Sequence, residues 1–492
     1  MSLPQHSPQD ALTEKSHAQI VADDMFLVAF EATSDSSNPK DWPLLRKWAV
    51  TSVLSVTGFN RIMVSTIMAP ALPYMSRELQ MDSVESLMAL SVYLLATAVG
   101  PLLIGPASEL YGRAPILHST NVWFFIWNLV CGFAHNKATL IASRLLAGLG
   151  ASAIYSLGNG VLGDVWPPHQ RGRSMGIYQL IPLLGAAVGP ILGGFIVAHT
   201  TWRWIFWSTS ALQAVAIAFS FLVFRETYAP TILEAKASQL RKSTGDDRYH
   251  TQTSWATAGV PFSSVVLDSL SRPLRLLLFH PVIQIQTLLS GWNYGLLYLV
   301  LATYSSLWTG HYHQSVSSSG LHYLAMCLGE IFGAQIGGFL MDRLYRYLAS
   351  KHAPAEPKAE FHIPLMTPAY IMAASGLLIY GWTAHYLRPW PVVDIGAFLL
   401  TFGMTVSGQV INSYVIDSYP DHVASASAAA QLVRSLTAFG FPLFGPAMFG
   451  GLGYGWSNTL LASISLVLGL PSTMLLWRCG SKLRERILGS SG

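Results

Sequence analysis

The sequence predicts an all-helical membrane protein with twelve transmembrane helices arranged as two bundles of six. Three observations support this fold class. Only 11% of the 492 residues are charged, which is less than half the usual share in soluble chains, and the mean hydropathy is +0.41. Twelve apolar stretches are each long enough to cross about 30 Å of hydrocarbon as a helix. A polar interval separates the sixth stretch from the seventh.

The first 47 residues are polar, and they lack the basic start and immediate apolar run of a cleavable signal peptide. We therefore expect the N-terminus to stay in the cytosol. The twelve predicted spans cover residues 48–72, 86–104, 116–134, 139–162, 174–198, 204–224, 282–304, 320–340, 364–385, 391–415, 424–449 and 456–477. The predicted divisions are a cytosolic tail at 1–47, a bundle at 48–224, a cytosolic linker at 225–281, a bundle at 282–477 and a cytosolic tail at 478–492.

The basic residues predict which side of the membrane each loop occupies. Of the 29 Lys and Arg residues, 22 fall in tails and loops on the side of the N-terminus, 4 fall in the opposite loops and 3 lie inside apolar stretches. Cytosolic loops of membrane proteins carry such an excess of basic residues. We therefore expect both termini in the cytosol and an even number of spans.

The composition also narrows the function. Low charge and long apolar runs argue against a water-soluble enzyme, a nucleic-acid binder and a disordered chain. The P-loop pattern G-x-x-x-x-G-K-[ST] does not occur in the sequence, so the hydrolysis of ATP by this chain is not expected. Cys131, Cys327 and Cys479 are scattered, and the loop residues His311 and His313 have no Cys or carboxylate cluster beside them. We predict no metal and no cofactor.

Two short patterns recur at equivalent places in the two predicted bundles. Gly105-Pro-Ala-Ser-Glu109 ends the second span and Gly338-Phe-Leu-Met-Asp342 ends the eighth. Asp164-Val-Trp-Pro167 follows the fourth span and Asp417-Ser-Tyr-Pro420 follows the tenth. Two such pairs at similar offsets favour two parallel six-helix repeats, an arrangement found in secondary transporters.

Six motifs follow one another along the chain. They are Asn38–Trp42, Gly105–Arg113, Arg144–Gly150, Asp164–Arg173, Trp202–Trp207 and Leu443–Trp456. In this order they resemble the major facilitator superfamily, in particular its fungal twelve-span drug:proton antiporters, over about residues 38–480. The resemblance implies the fold of that family and proton-coupled export of drugs, polyamines or secondary metabolites across a plasma membrane.

The fifth span carries glycines at a spacing of four residues. Gly185, Gly189 and Gly193, together with Pro190 and Gly194, resemble the antiporter motif of that family. Glycines four residues apart share one helix face and let a second backbone approach closely, while proline removes a backbone donor. We expect this face to let the two halves rock and to close a leak path. Plain helix packing is the alternative.

The segments that follow the second and eighth spans resemble the gating motif of the family. Its residues here are Gly105, Glu109, Gly112 and Arg113 in the first half and Gly338, Asp342 and Arg343 in the second. A carboxylate and a guanidinium at these helix ends can bridge neighbouring helices in one state and separate in the other. Leu110 follows Glu109, where the family pattern has an arginine after the acid. The alternative is that these residues only anchor the helix ends at the membrane surface.

The charged residues inside predicted spans include Arg61, Arg144, Glu330 and Arg434, and each such charge costs at least about 2.5–3.5 kcal/mol without a partner. Arg61, Glu330 and Arg434 fall near mid-depth if a rise of about 1.5 Å per residue is counted from the ends of their spans. Arg144 lies nearer the outer end of the fourth span, at a position that the resemblance links to proton coupling. One acid at mid-depth therefore faces two or three arginines.

We predict that Glu330 carries the proton. Desolvation favours the neutral acid and a nearby arginine favours the carboxylate, and alternating access would change both surroundings. Arginine stays charged, so Arg61 is expected to be a counter-ion or a substrate contact. The alternatives are a static ion pair for Glu330 and, for Arg434, hydrogen bonds to helix carbonyl groups.

Polar side chains within the spans are further candidates for a cavity that accepts varied molecules. Asn293, Tyr294 and Asn412 are predicted to line the proton and substrate cavity with the charged residues. Additional candidates are Gln179, Gln284, Gln409 and Tyr414. For each of them, an ordinary hydrogen bond between helices is the alternative.

These patterns together predict a secondary transporter in a lipid bilayer that exports a small organic molecule in exchange for protons. The excess of arginine over acid at mid-depth favours neutral or anionic cargo over polycations. Two alternatives stay open, namely uptake by symport or facilitated diffusion and a transporter-like membrane sensor. A sensor is expected to carry a long cytosolic domain, and only 15 residues follow Trp477.

Overall fold

A computed structural model describes residues 26–30, 35–251, 262–351, 358–418 and 423–488. These residues are almost entirely helical, and their strand-like pairing is an isolated bridge between Leu27 and His250. The predicted all-helical fold class is therefore confirmed. Most of the predicted N-terminal tail, the last four residues and the repeated pattern's Pro420 lie outside the described residues.

Twelve long helices follow one another in the described residues. They are α1 Leu44–Thr66, α2 Ser83–Leu110, α3 Arg113–Gly132, α4 Lys137–Val165, α5 Pro168–His199, α6 Arg203–Val223, α7 Pro281–Ser306, α8 Val316–Lys351, α9 Met366–His385, α10 Trp390–Ser418, α11 423–452 and α12 454–488. Each overlaps one of the twelve predicted spans.

In the described part of the chain, nine segments are long and apolar enough to cross a membrane by length and composition. One of these, Ser425–Lys482, contains both α11 and α12, which form a single helical run broken at Gly453 with a φ of 71°. The helices α3 and α7 lie outside the nine segments, although they have 20 and 26 residues.

Local sequence signals explain several helix ends. The backbone N–H of Glu85 donates to the carboxylate of Asp82 at 2.7 Å, and the N–H of Asp82 donates back to Glu85 at 3.1 Å. This reciprocal capping box starts α2. Gly112 starts α3 with a φ of 93°, a conformation that glycine adopts without steric cost. A Cβ there would also overlap the carboxylate of Glu226.

The helices form two bundles, α1–α6 and α7–α12. In the first bundle α1 packs on α5, and α4 packs on α2 and α3. In the second bundle both α8 and α9 pack on α10, and α7 packs on the run of α11 and α12. The bundles meet where α2 contacts α11 and where α5 contacts α8. A polar contact at this interface joins Thr97 Oγ1 to Ser435 Oγ at 2.8 Å.

Successive helices run in opposite directions, so the ends of the helices define two faces. We call the side where α1 begins and α12 ends the terminal face, and the opposite side the distal face. Near the distal face, the backbones of α5 and α8 are in close contact. A Cβ on Gly194 would lie 2.9 Å from the carbonyl oxygen of Val316, and one on Gly320 would lie 2.9 Å from that of Pro190. We call this contact the distal gate.

The described residues between the bundles form two parts, of which the second contacts both bundles. The first part contains Glu226, whose carboxylate accepts a hydrogen bond from the backbone N–H of Arg113 at 2.8 Å, and continues into the helix Ala229–Thr244. The second part is the helix Phe262–Phe279. Its Leu276 is buried in a hydrophobic cluster of the second bundle.

Residues that precede α1 bind the first part of this linker. The backbone N–H of Val28 donates to the carbonyl oxygen of His250 at 2.9 Å. Lys236 Nζ lies 3.2 Å from a carboxylate oxygen of Asp35. These contacts hold the described tail residues and the first half of the linker together at the terminal face.

Candidate functional site

Glu330 lies on α8 and is 9% exposed. Its carboxylate forms no hydrogen bond and no ion pair with any residue that the structure describes. The phenol groups of Tyr294 and Tyr298 on α7 lie within electrostatic range of it. A static ion pair, the alternative role for this residue, is thus not formed within the described chain.

Arg434 lies on α11, and its guanidinium is half-buried over the ring of Tyr294, with 5.5 Å between the guanidinium carbon and the ring centre. Its Nε is buried without a hydrogen-bond partner among the described residues. Tyr294 therefore lies within electrostatic range of both Arg434 and Glu330. The hydrogen bonds to helix carbonyl groups that were the alternative for Arg434 are not formed in this part of the chain.

Arg61 lies on α1 and is 2% exposed. One of its terminal nitrogens donates to Asn121 Oδ1 on α3 at 2.6 Å. Its Nε and its other terminal nitrogen are buried without partners among the described residues. A buried guanidinium with unused N–H donors can donate hydrogen bonds to an anionic or carbonyl group that comes close to it.

A small cavity lies beside the Arg61 side chain. Its volume of about 10 Å³ is about the space that one water molecule needs. Ser65 and Thr97, which line it, also reach the second bundle, because Ser65 Oγ lies 3.3 Å from the hydroxyl of Tyr298 and Thr97 bonds Ser435. The cavity therefore sits at the interface between the bundles.

Arg144 lies on α4 and is fully buried. Its guanidinium donates to three backbone carbonyl oxygens, of Val64 at 3.1 Å, Ala89 at 3.3 Å and Leu90 at 3.3 Å. The guanidinium carbon lies 4.5 Å from the ring centre of Tyr93. In this conformation, Arg144 joins α4 to α1 and α2.

The predicted polar cavity residues have different surroundings. Asn293 is buried and its amide donates to Ser407 Oγ on α10 at 3.1 Å, which is a contact between helices. Asn412 is exposed and makes no hydrogen bond within the described chain. Gln284 donates to the carbonyl oxygen of Leu278 at 2.8 Å. Of the remaining candidates, Gln409 donates to Ala334, Tyr414 is buried, and the side chain of Gln179 lies outside the described set.

The predicted gating residue Arg113 is bound within the first bundle. Its Nε lies 3.3 Å from a carboxylate oxygen of Asp164 on α4, and a terminal nitrogen donates to Ser108 Oγ at 2.5 Å. Its guanidinium carbon lies 4.7 Å from the ring centre of Tyr228. Glu109 is exposed and forms no ion pair with the described residues. The acid that binds Arg113 here is therefore Asp164.

The second-half counterpart has a different environment. Asp342 and Arg343 are both exposed, and neither side chain has a hydrogen-bond partner among the described residues. A Cβ on Gly338 would meet open space, and one on Gly105 would meet nothing closer than 3.9 Å. The two gating segments are similar in sequence, but only the first is bound to its neighbours in this conformation.

The glycines of the antiporter motif lie against the backbone of α1. A Cβ on Gly185 would lie 2.5 Å from the carbonyl oxygen of Phe59, and one on Gly189 would lie 2.8 Å from that of Met63. A Cβ on Gly193 would overlap the carbonyl oxygen of Ile67. Larger side chains would force α1 and α5 apart, which is the close approach that the four-residue spacing predicts.

Sequence reasoning missed several partners because they come from distant parts of the chain. Asp164 belongs to a quoted motif, but its contact with Arg113 depends on the packing of α3 against α4. Glu226 lies in the predicted linker, yet its carboxylate also accepts a hydrogen bond from the N–H of Ala114 at 3.1 Å and caps α3. His322 and Asp394 bind each other at 2.8 Å. Their position inside apolar spans was the available signal.

Twelve helices in two bundles, with charged and polar side chains at the interface, define a multi-pass membrane transporter of small molecules and not an enzyme. The model of the Major Facilitator Superfamily matches residues 54–442. The chain belongs to this family.

Similar proteins include fungal transporters named as efflux pumps. The chain is 53% identical over 420 residues to "Probable efflux pump mfs2" of Aspergillus flavus, covering 85% of this chain and 99% of the relative. It is 37% identical to "Efflux pump vrtL" of Penicillium aethiopicum, covering 95% and 92%. Among solved structures, the xylose transporter XylE from E. coli in a partially occluded inward open conformation has a TM-score of 0.64 at 15% identity, over 88% of this chain and 98% of that one. That similarity supports the fold.

Proposed function

We propose that the protein exports a small organic compound in exchange for protons, by alternating access, and that Glu330 carries the proton. The observation that carries this proposal is the burial of Glu330 without an ion pair or hydrogen bond among the described residues. The names of the similar efflux pumps support the direction of transport.

The proposed role of Glu330 follows from the cost of burying charge. An ionised carboxylate is unfavourable inside a membrane unless it is paired or hydrated. In the present conformation Glu330 is favoured as the neutral acid. Water or a closer approach of Arg434 would favour the carboxylate instead. A conformational cycle that alternates between these surroundings would bind the proton on one side of the membrane and release it on the other.

The arginines suggest the chemistry of the cargo. Arg61 and Arg434 keep their charge throughout the cycle, and both have nitrogens without partners in the described chain. Guanidinium groups bind carboxylates, phenolates and carbonyl oxygens well. The proposed cargo is therefore a neutral or anionic organic molecule with such an oxygen, and polycations are disfavoured by repulsion.

The proposed movement uses the contacts between the bundles. The close packing of α5 on α1 keeps these helices together as one body, and the distal gate is the contact that has to separate when the other conformation forms. Rigid-body rocking of two bundles about such an interface is an established way to alternate access.

The proposed orientation places the terminal face in the cytosol of a cell whose plasma membrane contains the transporter. The excess of basic residues on the terminal side supports it. Protons would then enter from the distal face, where the outside of the cell is more acidic, and the cargo would leave through the same face.

The test uses the full chain reconstituted into liposomes that contain pyranine, a fluorescent reporter of internal pH. A panel of neutral and anionic aromatic compounds and the polycation spermidine is added, and both compound flux and proton flux are followed. We expect movement of at least one neutral or anionic compound together with opposite proton movement. Spermidine is expected to move at the rate seen in empty liposomes.

Glu330→Gln is the key variant, because it removes the ionisable group and retains a side chain of similar shape. We expect it to fold normally and to lose at least about 90% of gradient-driven flux, since a glutamine cannot release the proton. Glu85→Gln is the matched control, because that carboxylate lies at the distal surface and pairs with Lys137. Gradient-driven flux that survives in Glu330→Gln would remove the proposed role. Proton and compound movement in the same direction would indicate symport.

A further inference from the structure

Three polar side chains meet near the distal ends of α7, α8 and α10. His322 Nδ1 lies 2.8 Å from a carboxylate oxygen of Asp394, and the hydroxyl of Tyr304 donates to the other carboxylate oxygen at 2.8 Å. The second ring nitrogen of His322 lies 2.8 Å from Gln314 Oε1, in the loop before α8. His322 is 9% exposed. The cluster has no part in the proposed roles of Glu330 and the arginines.

We propose that His322 and Asp394 form a proton-binding site, separate from Glu330, and that proton binding there holds the distal gate closed. The ligand of this site is a proton from the distal compartment. The proposal shares with the proposed function the idea that the two bundles separate at the distal gate, but it does not depend on the role of Glu330.

The hydrogen bonds of His322 depend on its protonation. An imidazolium has two N–H donors, whereas neutral imidazole has one donor and one acceptor. The protonated ring can donate to Asp394 and to Gln314 Oε1 at once, and its bond to the carboxylate is then charge-assisted. Loss of the proton leaves one ring nitrogen without a hydrogen, so the neutral ring can no longer donate to Asp394 and to Gln314 Oε1 at the same time.

The position of the cluster connects this change to the gate. Gln314 is two residues before Val316, and His322 is two residues after Gly320, so the two bonded side chains flank the gate segment of α8. The backbone N–H of Gln314 also donates to the carbonyl oxygen of Trp308 at 2.9 Å. A protonated His322 therefore fixes the loop and the first turn of α8 that contacts α5. The neutral ring releases one end of this segment.

When it is protonated, the imidazole of His322 provides the positive charge that faces Asp394. No Lys or Arg side chain forms an ion pair with Asp394 in the described chain. Tyr304 of α7 donates to Asp394, and Tyr312 lies within electrostatic range of the same carboxylate. Tyr380 of α9 packs on Tyr304, and the hydroxyl of Tyr312 donates to the backbone carbonyl oxygen of Arg388. Trp308 stacks on the His322 ring with 3.6 Å between centres, and Trp390 lies 5.6 Å away edge-on. These indoles restrict water around the pair.

The test measures the width of the distal gate against pH. Spin labels are placed at Ala198→Cys on α5 and Leu321→Cys on α8, both exposed positions next to the gate. The background carries Cys479→Ser, because the other two cysteines are buried. Distances are recorded in lipid nanodiscs from about pH 5 to about pH 8.5, the range in which an ordinary imidazole titrates.

In the wild-type sequence we expect the short-distance population to fall by at least about twofold as the pH rises. His322→Gln should remove this pH dependence. Asp394→Asn should lower the short-distance population at acidic pH, because the ring loses its charge-assisted hydrogen bond. His311→Gln is the matched control, since this distal histidine bonds only the carbonyl oxygen of Ala384 within the described chain, and it should keep the wild-type curve.

Gln314→Leu protects the test against a folding defect in His322→Gln. It changes a half-buried loop residue and removes only the second partner of the ring. We expect its short-distance population at acidic pH to fall to the level that wild type shows at alkaline pH. Glu330→Gln should retain the pH dependence, even if transport fails. A wild-type curve in His322→Gln or in Gln314→Leu would overturn the proposal, as would loss of the curve in Glu330→Gln alone.

Discussion

The two bundles differ in the hydrogen-bond partners of their charged side chains inside the membrane-spanning helices. In the first bundle, Arg61, Arg113 and Arg144 all have hydrogen-bond acceptors on neighbouring helices, and Arg144 alone reaches three carbonyl oxygens. In the second bundle, Glu330 and Arg434 have no such partner within the described chain. The first bundle holds these arginines in fixed positions, while the second leaves Glu330 and Arg434 free to change partners.

This difference suggests that the two bundles have different roles, with constant positive charge in the first and proton exchange in the second. A guanidinium stays protonated at any pH the cell reaches, so the first bundle presents a constant positive potential. Carboxyl and imidazole groups exchange protons, and Glu330, His322 and Asp394 all belong to the second bundle. We therefore expect substitutions in the first bundle to change stability and packing, and substitutions in the second to change the response to pH.

The largest expected effect is on stability, and it compares Arg144 of the first bundle with Arg434 of the second. Arg144→Leu should lower the free energy of unfolding by about 3 kcal/mol or more, because hydrogen bonds to charged groups each contribute about 1.5–3 kcal/mol. Arg434→Leu should change it by less than about 1 kcal/mol, since this guanidinium has no hydrogen bond to lose in the described chain. Thermal unfolding in detergent measures both. Equal losses in the two variants would mean that the bundles do not differ in this way.

The next effect concerns helix packing. Gly193→Ala should lower the transport rate by about tenfold, because its methyl group would overlap the carbonyl oxygen of Ile67 and push α5 away from α1. Gly338→Ala should stay within about twofold of wild type, because a Cβ there meets open space and alanine favours a helix by about 1 kcal/mol. Flux in liposomes is the measurement. A wild-type rate for Gly193→Ala would show that α1 and α5 can separate without loss.

The smallest effect concerns Arg61 and Arg434, the two arginines that have buried nitrogens without hydrogen-bond partners in the described chain. Arg434→Gln should move the pH of half-maximal transport upward by about half a unit, because the proposed cycle then lacks the positive charge whose closer approach favours the carboxylate of Glu330. Arg61→Gln should weaken cargo binding and leave this pH unchanged. Flux is measured as a function of pH and of cargo concentration. A larger pH shift in Arg61→Gln than in Arg434→Gln would reverse the assigned roles.

The fold could be predicted almost completely from the sequence. Twelve apolar stretches, a polar interval after the sixth and recurring motifs are local features, and each predicts a helix or a repeat on its own. The spacing of Gly185, Gly189 and Gly193 likewise predicts a close helix contact, and α1 supplies the neighbouring backbone. Such features depend only on residues close together in the chain.

The partners of the charged residues could not be predicted in the same way. Glu330 was expected to face arginines, but whether Arg434 reaches it depends on the rotation of α8 against α11, which periodicity does not determine. Arg113 forms its ion pair with Asp164 and not with Glu109, because α3 packs beside α4. Asp394 lies near the start of α10 and not at mid-depth, so a search for charges at mid-depth does not find it. The orientation of the termini, the proton and the cargo remain predictions.

The bridge between Leu27 and His250 has a consequence for how the molecule could be divided. The described tail residues contact the linker before residue 251, and Glu226 attaches this part of the linker to the first bundle. The helix that begins at Phe262 packs on the second bundle and also contacts α2. The division between the halves therefore falls between residues 251 and 262, in the second half of the polar interval. Two separate polypeptides, ending at 251 and beginning at 262, should each retain the contacts with their own bundle, and the contact of the helix Phe262–Phe279 with α2 would then help to join them. Co-expressed, they should reassemble into a working transporter more readily than fragments cut at residue 225.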